Sequence, residues 1–283
     1  MPNRSSPERK RMSYTESIIW SVGPECLLKA IEENHWESQK ILAKELIEFP
    51  GGFCVLSGSQ EAWLNSIFLT DADKSLLPAF IPGAIARLRR CNLPMVWDIS
   101  PRQYSAELHR CLENQGIHLV SITQGMAMDL ETLVEPSFGT GIRIETVQDT
   151  RTLHEWSSIL DMSFGGSGCA PGCAFEMHYG GKGVGPNNPW QHFVALNEDC
   201  PVGSGSLFLG AGVVGIPCMG TLPTAGKKGV ATSLTLSLLS ESRRRGFHVA
   251  VLYSSEAAEK MYTRIGFSAF GKRYQFLWHP AES

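Results

Sequence analysis

The chain is 283 residues long, with 43% hydrophobic and 19% charged residues and a formal net charge of −3. That length fits one large domain or two ordinary ones, and the apolar share is enough for packed cores. The acidic balance offers no basic face of the kind nucleic acid requires, and no apolar run approaches the ~20 residues that span a bilayer. The expectation is a soluble, cytoplasmic protein without nucleic-acid or membrane partners. Residues 1–13 are polar and locally basic from Arg4 to Arg11. No apolar run follows them, so they read as a disordered tail, not a targeting peptide. The cysteines are scattered and, without a signal peptide, read as reduced, buried small side chains.

Taken in order, residues 24–46 read as a helix. Pro24 suits a first turn, Leu27, Leu28, Ile31, Leu42 and Leu46 supply apolar positions, and Pro50-Gly51-Gly52 stops it. Short apolar strands follow at 53–56 and 64–69. Residues 78–90 read as a helix ending in arginines, where cations suit the helix dipole. A strand at 94–99, a helix at 103–114 and strands at 117–122 and 125–130 complete a first unit, 14–130. Pro136, Gly139 and Gly141 mark a linker, 131–141.

The second unit, 142–283, follows a similar plan. A strand at 142–147 and a helix at 150–163 lead to a glycine-rich loop, 165–189, with a short helical stretch at 175–178. Strands at 190–196, 201–209 and 213–222 precede a helix at 229–245, closed by Arg243, Arg244 and Arg245 with Gly246 beyond. A strand at 249–253, a helix at 256–264 and a strand at 267–278, kinked near Gly271, end the chain. The fold class expected is α/β, with two similar lobes, each a mixed sheet flanked by helices. The likeness between the lobes lies in element order and not in repeated sequence.

The turn Gly226-Lys227-Lys228-Gly229 opens directly onto a helix beginning Val230, Ala231, Thr232. The first N–H groups of a helix lack intrahelical partners and carry partial positive charge. Glycines admit a close approach and the lysines add charge, so the turn suits a phosphate or pyrophosphate. It does not supply the G-x-x-x-x-G-K-[ST] of a Walker P-loop. It also lies far from the start of a dinucleotide βαβ unit. At the corresponding place the first unit reads Thr70-Asp-Ala-Asp-Lys-Ser-Leu-Leu77. Asp71 and Asp73 would repel a pyrophosphate, so the first unit reads as a degenerate copy that has lost ligand binding.

Residues 142–278 resemble the GNAT (Gcn5-related N-acetyltransferase) family. The likeness rests on Gly226 to Ala231, set against the family's Q/R-x-x-G-x-G/A turn, with Gly226 in place of Gln or Arg. It rests also on Thr221-Leu222-Pro223, on Tyr262-Thr-Arg-Ile-Gly-Phe267 and on Pro201-Val202-Gly203. The resemblance implies tandem GNAT-like lobes, the first degenerate, in a monomer or weak homodimer. It implies acetyl-CoA as co-substrate, no metal, and acyl transfer to an amine of a small molecule or peptide. The pyrophosphate would lie on Gly226, Lys227, Lys228, Gly229, Val230, Ala231 and Thr232. Pantetheine would lie along Met219, Gly220, Thr221 and Leu222, where Met219 or Gly220 would offer the oxyanion an N–H.

By the same likeness Tyr262 is the general acid for the leaving thiolate, against the alternative of a core aromatic. The strand at 213–222 has no acid to serve as base. His192 stands as the weaker candidate, and Cys218 reads as a buried strand thiol. Ser254 and Ser255 either cap the helix at 256–264 or position CoA. The loop at 165–189 falls where acceptor choice varies, which nominates Phe175, His178 and Trp190 for the acceptor pocket. Cys169, Cys173 and His178 fall one short of a structural zinc set. Two other readings stay open: a non-catalytic CoA-binding sensor, and a different acyl-CoA reaction such as O-acyl transfer or decarboxylation.

Overall fold

The structure, a computed structural model, describes residues 23–70, 81, 85, 90, 92–134, 141–168, 170–183, 185 and 187–280. The expected tail, the acidic stretch after Thr70, most of the helix at 78–90, the middle of the linker and Cys169 lie outside these residues.

Helix α1 (Pro24–Leu42) buries Leu27 and Ile31 against Ala127, Val213, Val249 and Val251. It is shorter than its apolar spacing suggests. Ala43 is extended, and Glu45–Phe49 forms strand β1, antiparallel to β2 (Gly52–Leu56) with Glu45 opposite Leu56. The turn at Pro50-Gly51, where Gly51 has φ 85°, draws residues 45–49 into a hairpin and overrides their helical pattern. Strand β3 (Ser66–Leu69) then runs parallel to β4 (Met95–Ile99). Helix α2 (Ala106–Glu113) is capped by the Ser105 hydroxyl, which accepts from the Leu108 N–H. The two strands expected at 117–122 and 125–130 are one, β5 (His118–Asp129).

The second half contains β6 (Ile142–Thr146), α3 (Thr150–Ser163), α4 (Ala174–Gly183), β7 (Trp190–Asn197) and β8 (Cys200–Gly210). After these come β9 (Val213–Gly215), β10 (Gly220–Thr221), α5 (Val230–Arg244), β11 (Val249–Ser254), α6 (Glu256–Ile265) and β12 (Ser268–Trp278). Helix α4 is longer than the stretch at 175–178 that sequence suggests, because its inner face packs on α3 and β7 despite the glycines it carries. The strand expected at 213–222 is broken into β9 and β10 by an irregular segment. The kink expected near Gly271 is a register shift between Ala269 and Gly271.

The lobes share one mixed sheet, in the order β1-β2-β3-β4-β12-β5-β11-β9-β8-β7-β6, with β10 paired to β8. The final strand of each half crosses to the other. β5 lies antiparallel to β11, and β12 lies antiparallel to both β4 and β5. The exchange carries Phe276 and Trp278 into the first core, with Trp97, Ile99, Leu108 and Leu112. It carries Met126 and Met128 into the second, with Leu234, Leu238 and Phe267. Burying side chains of this size is worth about 1.5–3 kcal/mol each, so each half stabilises the other.

Candidate active site

β9 and β11 are parallel and paired only at Val214 with Ala250 and at Gly215 with Val251. The Ile216 N–H donates to the Val251 carbonyl at 2.9 Å. Beyond that bond the chains part. The segment 216–221 follows β8, through Ser206 N–H to Pro217 carbonyl (3.1 Å), while β11 follows β5. Cys218, at the break between β9 and β10, has φ 57°, a left-handed conformation uncommon for a residue with a side chain. The splay leaves Gly220 and Thr221 paired on one side only.

The turn at 226–229 sits next to the splay. Lys227 has φ 62° and Gly229 has φ 80°, and Gly229 is the N-cap of α5 without a side-chain cap bond. Alternating hands in such a turn direct successive N–H groups to one side, the geometry of an anion nest. Lys227 and Lys228 are exposed. Val230 is buried in the core, while Ala231 and Thr232 are partly exposed. Ser204 Oγ and Thr221 Oγ1, beside Gly220, are buried without hydrogen-bond partners among the described residues. A buried hydroxyl without a partner marks a place where a ligand's polar groups fit. The residues present therefore suit a thioester arm lying in the splay with its pyrophosphate on the turn.

Next to the splay is a cavity of about 230 Å³ between the halves. Pro217, Cys218, Leu252 and Tyr253 wall it on one side; His35, Trp63, Phe68 and Asp98 wall it from the first half, and Arg273 and Gln275 from β12. Its polar wall is a cross-linked set. Gln275 donates to Asp98 Oδ2 at 3.1 Å, and Arg273 Nη1 lies 3.4 Å from the same oxygen. Arg273 Nη1 also donates to His35 Nε2 at 3.0 Å, and its guanidinium covers the Tyr253 ring at 4.2 Å. His35 Nε2 also lies 3.5 Å from Asp98 Oδ2, so it accepts from Arg273 when it carries no proton and donates to the carboxylate when it does. Burial lowers the His35 pKa and outweighs the pull of Asp98 the other way. For Asp98 burial acts upward, but Arg273, helped by His35 and Gln275, holds the carboxyl below its ordinary value. No residue of this set was legible as a site residue in sequence. They lie on four separate elements, α1, β4 and two positions of β12 among them, and only the strand exchange assembles them.

Trp190, nominated for the acceptor pocket, does line the cavity, and its indole N–H donates to the Ser38 carbonyl at 3.2 Å. Phe175 packs instead on the core around Trp156, and His178 lies edge-on to Tyr179 with ring centres 5.0 Å apart. Burial lowers the His178 pKa to about 4. His192 is fully buried, with its ring 4.1 Å from that of Trp156. Its Nδ1 is 2.8 Å from Ser206 Oγ, and its Nε2 is buried without a hydrogen-bond partner among the described residues. Burial lowers its pKa to about 4, so it is neutral. Cys218 bonds to the side chains of Tyr179 and Ser206, while burial pushes its thiol up to about 12.

Tyr262 is 5% exposed and edge-on to Phe267 in the core of the second half. Burial raises its pKa to about 12, opposed by a hydrogen bond with Thr235. Ser255 occupies the N-cap of α6, but its side chain makes no cap bond, and the Ser254 hydroxyl donates to the Ser255 carbonyl. Met219 packs under α5 near Gly205. Among the described residues, no group of three His, Cys, Asp or Glu is placed to hold a metal. No described helix is long and apolar enough to cross a membrane.

Residues 166–267 match the sequence model of the Acetyltransferase (GNAT) family. That segment is therefore similar to a GNAT acetyltransferase domain. Solved structures agree in fold. A GCN5-related N-acetyltransferase from Kribbella flavida, 14% identical, has a TM-score of 0.66 over 88% of this chain and 96% of its own. A GCN5-related N-acetyltransferase from Sphaerobacter thermophilus, 16% identical, scores 0.60 over 82% and 78%. A tandem GNAT protein from the clavulanic acid biosynthesis pathway, 12% identical, scores 0.55 over 82% and 80%. No curated protein matches the chain. The fold is thus one of tandem GNAT-like lobes. The family match begins after α3 and stops at Phe267, one residue before β12, so the first-half and β12 walls of the cavity lie outside it.

Proposed function

We propose that the protein transfers an acetyl group from acetyl-CoA to an amine of a small molecule or peptide. The observation that carries this reading is the grouping of three features: the β9–β11 splay, the left-handed turn at the head of α5, and the cavity between the halves beside the splay. Gly226, Lys227, Lys228 and Gly229, with the N–H groups of Val230, Ala231 and Thr232, hold the pyrophosphate. The backbone of Met219, Gly220, Thr221 and Leu222 aligns the thioester arm, and Ser254 and Ser255 face it from the end of β11. A Met219 or Gly220 N–H steadies the oxyanion as the amine nitrogen bonds to the thioester carbonyl carbon. Tyr262 gives its proton to the departing thiolate, which requires its hydroxyl to leave Thr235. The acceptor occupies the cavity against Trp190, with Phe175 and His178 buttressing that wall from behind. Its volume suits a small acceptor. The lobes already share one sheet, which favours a monomer or weak homodimer, in the cytoplasm.

A second reading, a CoA-binding sensor, draws support from one observation: the Tyr262 hydroxyl is engaged inside the core. Thiol release from acetyl-CoA, measured with the purified chain over a panel of amines, separates the two. Acyl transfer requires release that depends on the acceptor. Tight acetyl-CoA binding without release for any amine would leave only the sensor.

A further inference from the structure

The polar wall of the cavity between the halves keeps two atoms in reserve. Asp98 is engaged through one oxygen. Its Oδ2 accepts from Gln275 at 3.1 Å and lies 3.5 Å from His35 Nε2, while its Oδ1 has no hydrogen-bond partner among the described residues. Arg273 is held at three points. Its Nε donates to Thr123 Oγ1 at 3.0 Å, its Nη1 is 3.0 Å from His35 Nε2, and its guanidinium lies over the Tyr253 ring. Its Nη2 has no hydrogen-bond partner among the described residues. Both side chains line the cavity, and neither spare atom is fully buried.

The charges of this wall cancel. Arg273 Nη1 is 3.4 Å from Asp98 Oδ2, and among the described residues no other Asp, Glu, Lys or Arg lines the cavity. A charged ligand group would meet a like charge beside its partner and would leave water without full compensation. A neutral group that both gives and takes a hydrogen bond satisfies both spare atoms, and bonds to charged partners are the stronger kind. The spare atoms sit on two side chains, so the ligand's donor and acceptor fit best on separate atoms, as in a carboxamide. The rest of the wall is largely aromatic. Phe68, Trp190 and Tyr253 contribute to it, and Trp63, 47% exposed, lies toward solvent. Such walls suit a flat, apolar body.

We propose that the acceptor carries a neutral carboxamide on an aromatic or apolar body. The carboxamide oxygen accepts from Arg273 Nη2, and its N–H donates to Asp98 Oδ1. This deepens the acyl-transfer reading and rests on it for the amine that reacts.

The experiment uses four amines with one phenyl body: phenylalaninamide, phenylalanine, 3-phenylpropane-1,2-diamine and phenethylamine. Binding to the full chain is measured by calorimetry without acetyl-CoA. Phenylalaninamide should bind at least about tenfold tighter than each of the others, the scale of one or two hydrogen bonds to charged groups. Asp98→Asn leaves the arginine uncompensated and should move the preference to phenylalanine. Arg273→Gln leaves the carboxylate uncompensated and should move it to the diamine. Melting curves check that both variants fold, and the wild-type ranking decides alone if they do not. Equal binding of the four amines, or a charged tail ranked first in wild type, overturns the proposal. So does an unchanged preference for the amide in both folded variants. Thiol release from acetyl-CoA with the same amines is read separately. The amide ranked first without release from any amine keeps the subsite and removes the transfer reading. Release without that ranking does the reverse.

Discussion

The two halves end alike and serve the site differently. β5 and β12 are the last strands of their halves, and each lies against the other half's sheet. β5 supplies mainly scaffold: Met126 and Met128 enter the second core, and the Thr123 hydroxyl accepts from Arg273 Nε at 3.0 Å. β12 supplies scaffold and wall, with Phe276 and Trp278 in the first core and Arg273 and Gln275 at the cavity. The phosphate turn belongs to the second half, yet His35 and Asp98 of the first half face the same cavity. The first half therefore contributes wall to a cavity that it shares with the second half.

The sharpest way to break this comparison is at Asp98, which ties the first half to β12. Its side chain is 5% exposed and that of Arg273 12%. Removing one partner of a buried pair leaves the other charge uncompensated, at about 3–5 kcal/mol. Asp98→Ala should lose that much in chemical denaturation, and Asp98→Ala with Arg273→Met should recover much of it. A loss below about 1 kcal/mol would mean the halves are held by apolar packing alone.

The next largest effect is a dependence on pH. His192 has a folded pKa of about 4 against an ordinary value of 6.5. A histidine kept neutral by burial contributes stability in full above its unfolded pKa. That contribution declines as pH falls from about 6.5 and is gone below about 4. The shift corresponds to about 3 kcal/mol. His178, also lowered to about 4, and His35 act in the same direction, while Asp98, lowered by Arg273, matters only in more acid solution. Melting temperature should fall steadily from pH 6.5 to 4, and less steeply in His192→Gln. Equal slopes in the two proteins would place the loss elsewhere.

Where sequence sufficed and where it did not follows the range of the forces. The turn at 226–229, α5 and the Tyr262-to-Phe267 ending are local features, written in glycine placement and helical spacing. β1 was misread because a hairpin turn decides against a helical apolar pattern. The break between β9 and β10 has a local mark in Pro217, which cannot donate to a strand ladder, and β8 fixes its place through the Ser206 N–H bond to the Pro217 carbonyl. The cavity wall was illegible for a stronger reason. His35, Asp98 and Arg273 are separated by 63 and 175 residues and meet only through pairing of β12 with β4. No spacing rule reports such pairing.

A third change tests whether the second half holds the leaving-group chemistry. Tyr262→Phe keeps the ring against Phe267 and removes the hydroxyl that bonds Thr235. As the general acid, its loss should lower thiol release by about a hundredfold with acetyl-CoA affinity unchanged. Stability should change by about 1 kcal/mol, the net value of one hydrogen bond. Full turnover in this variant would return Tyr262 to the core as an ordinary aromatic.

The smallest effect belongs to the turn that distinguishes the halves. Lys227 and Lys228 are exposed, so water and salt screen what they contribute. Charges near a helix N-terminus are worth about 0.3–1 kcal/mol each at such sites. Replacing both with alanine should weaken acetyl-CoA about tenfold, more at low ionic strength than at high. S-acetylpantetheine carries the thioester arm without the pyrophosphate, so it should bind wild type and the double variant alike. Equal weakening of both compounds would mean that the lysines act on the fold of the turn. Lys227, at φ 62°, is the one whose backbone allows that outcome, since alanine there keeps the left-handed strain that glycine relieves. Set beside Lys227→Ala, Lys227→Gly separates the two causes, with Lys228 intact in both: each removes the charge and only glycine relaxes the backbone. Loss of acetyl-CoA affinity in Lys227→Gly with S-acetylpantetheine binding unchanged assigns the role to charge.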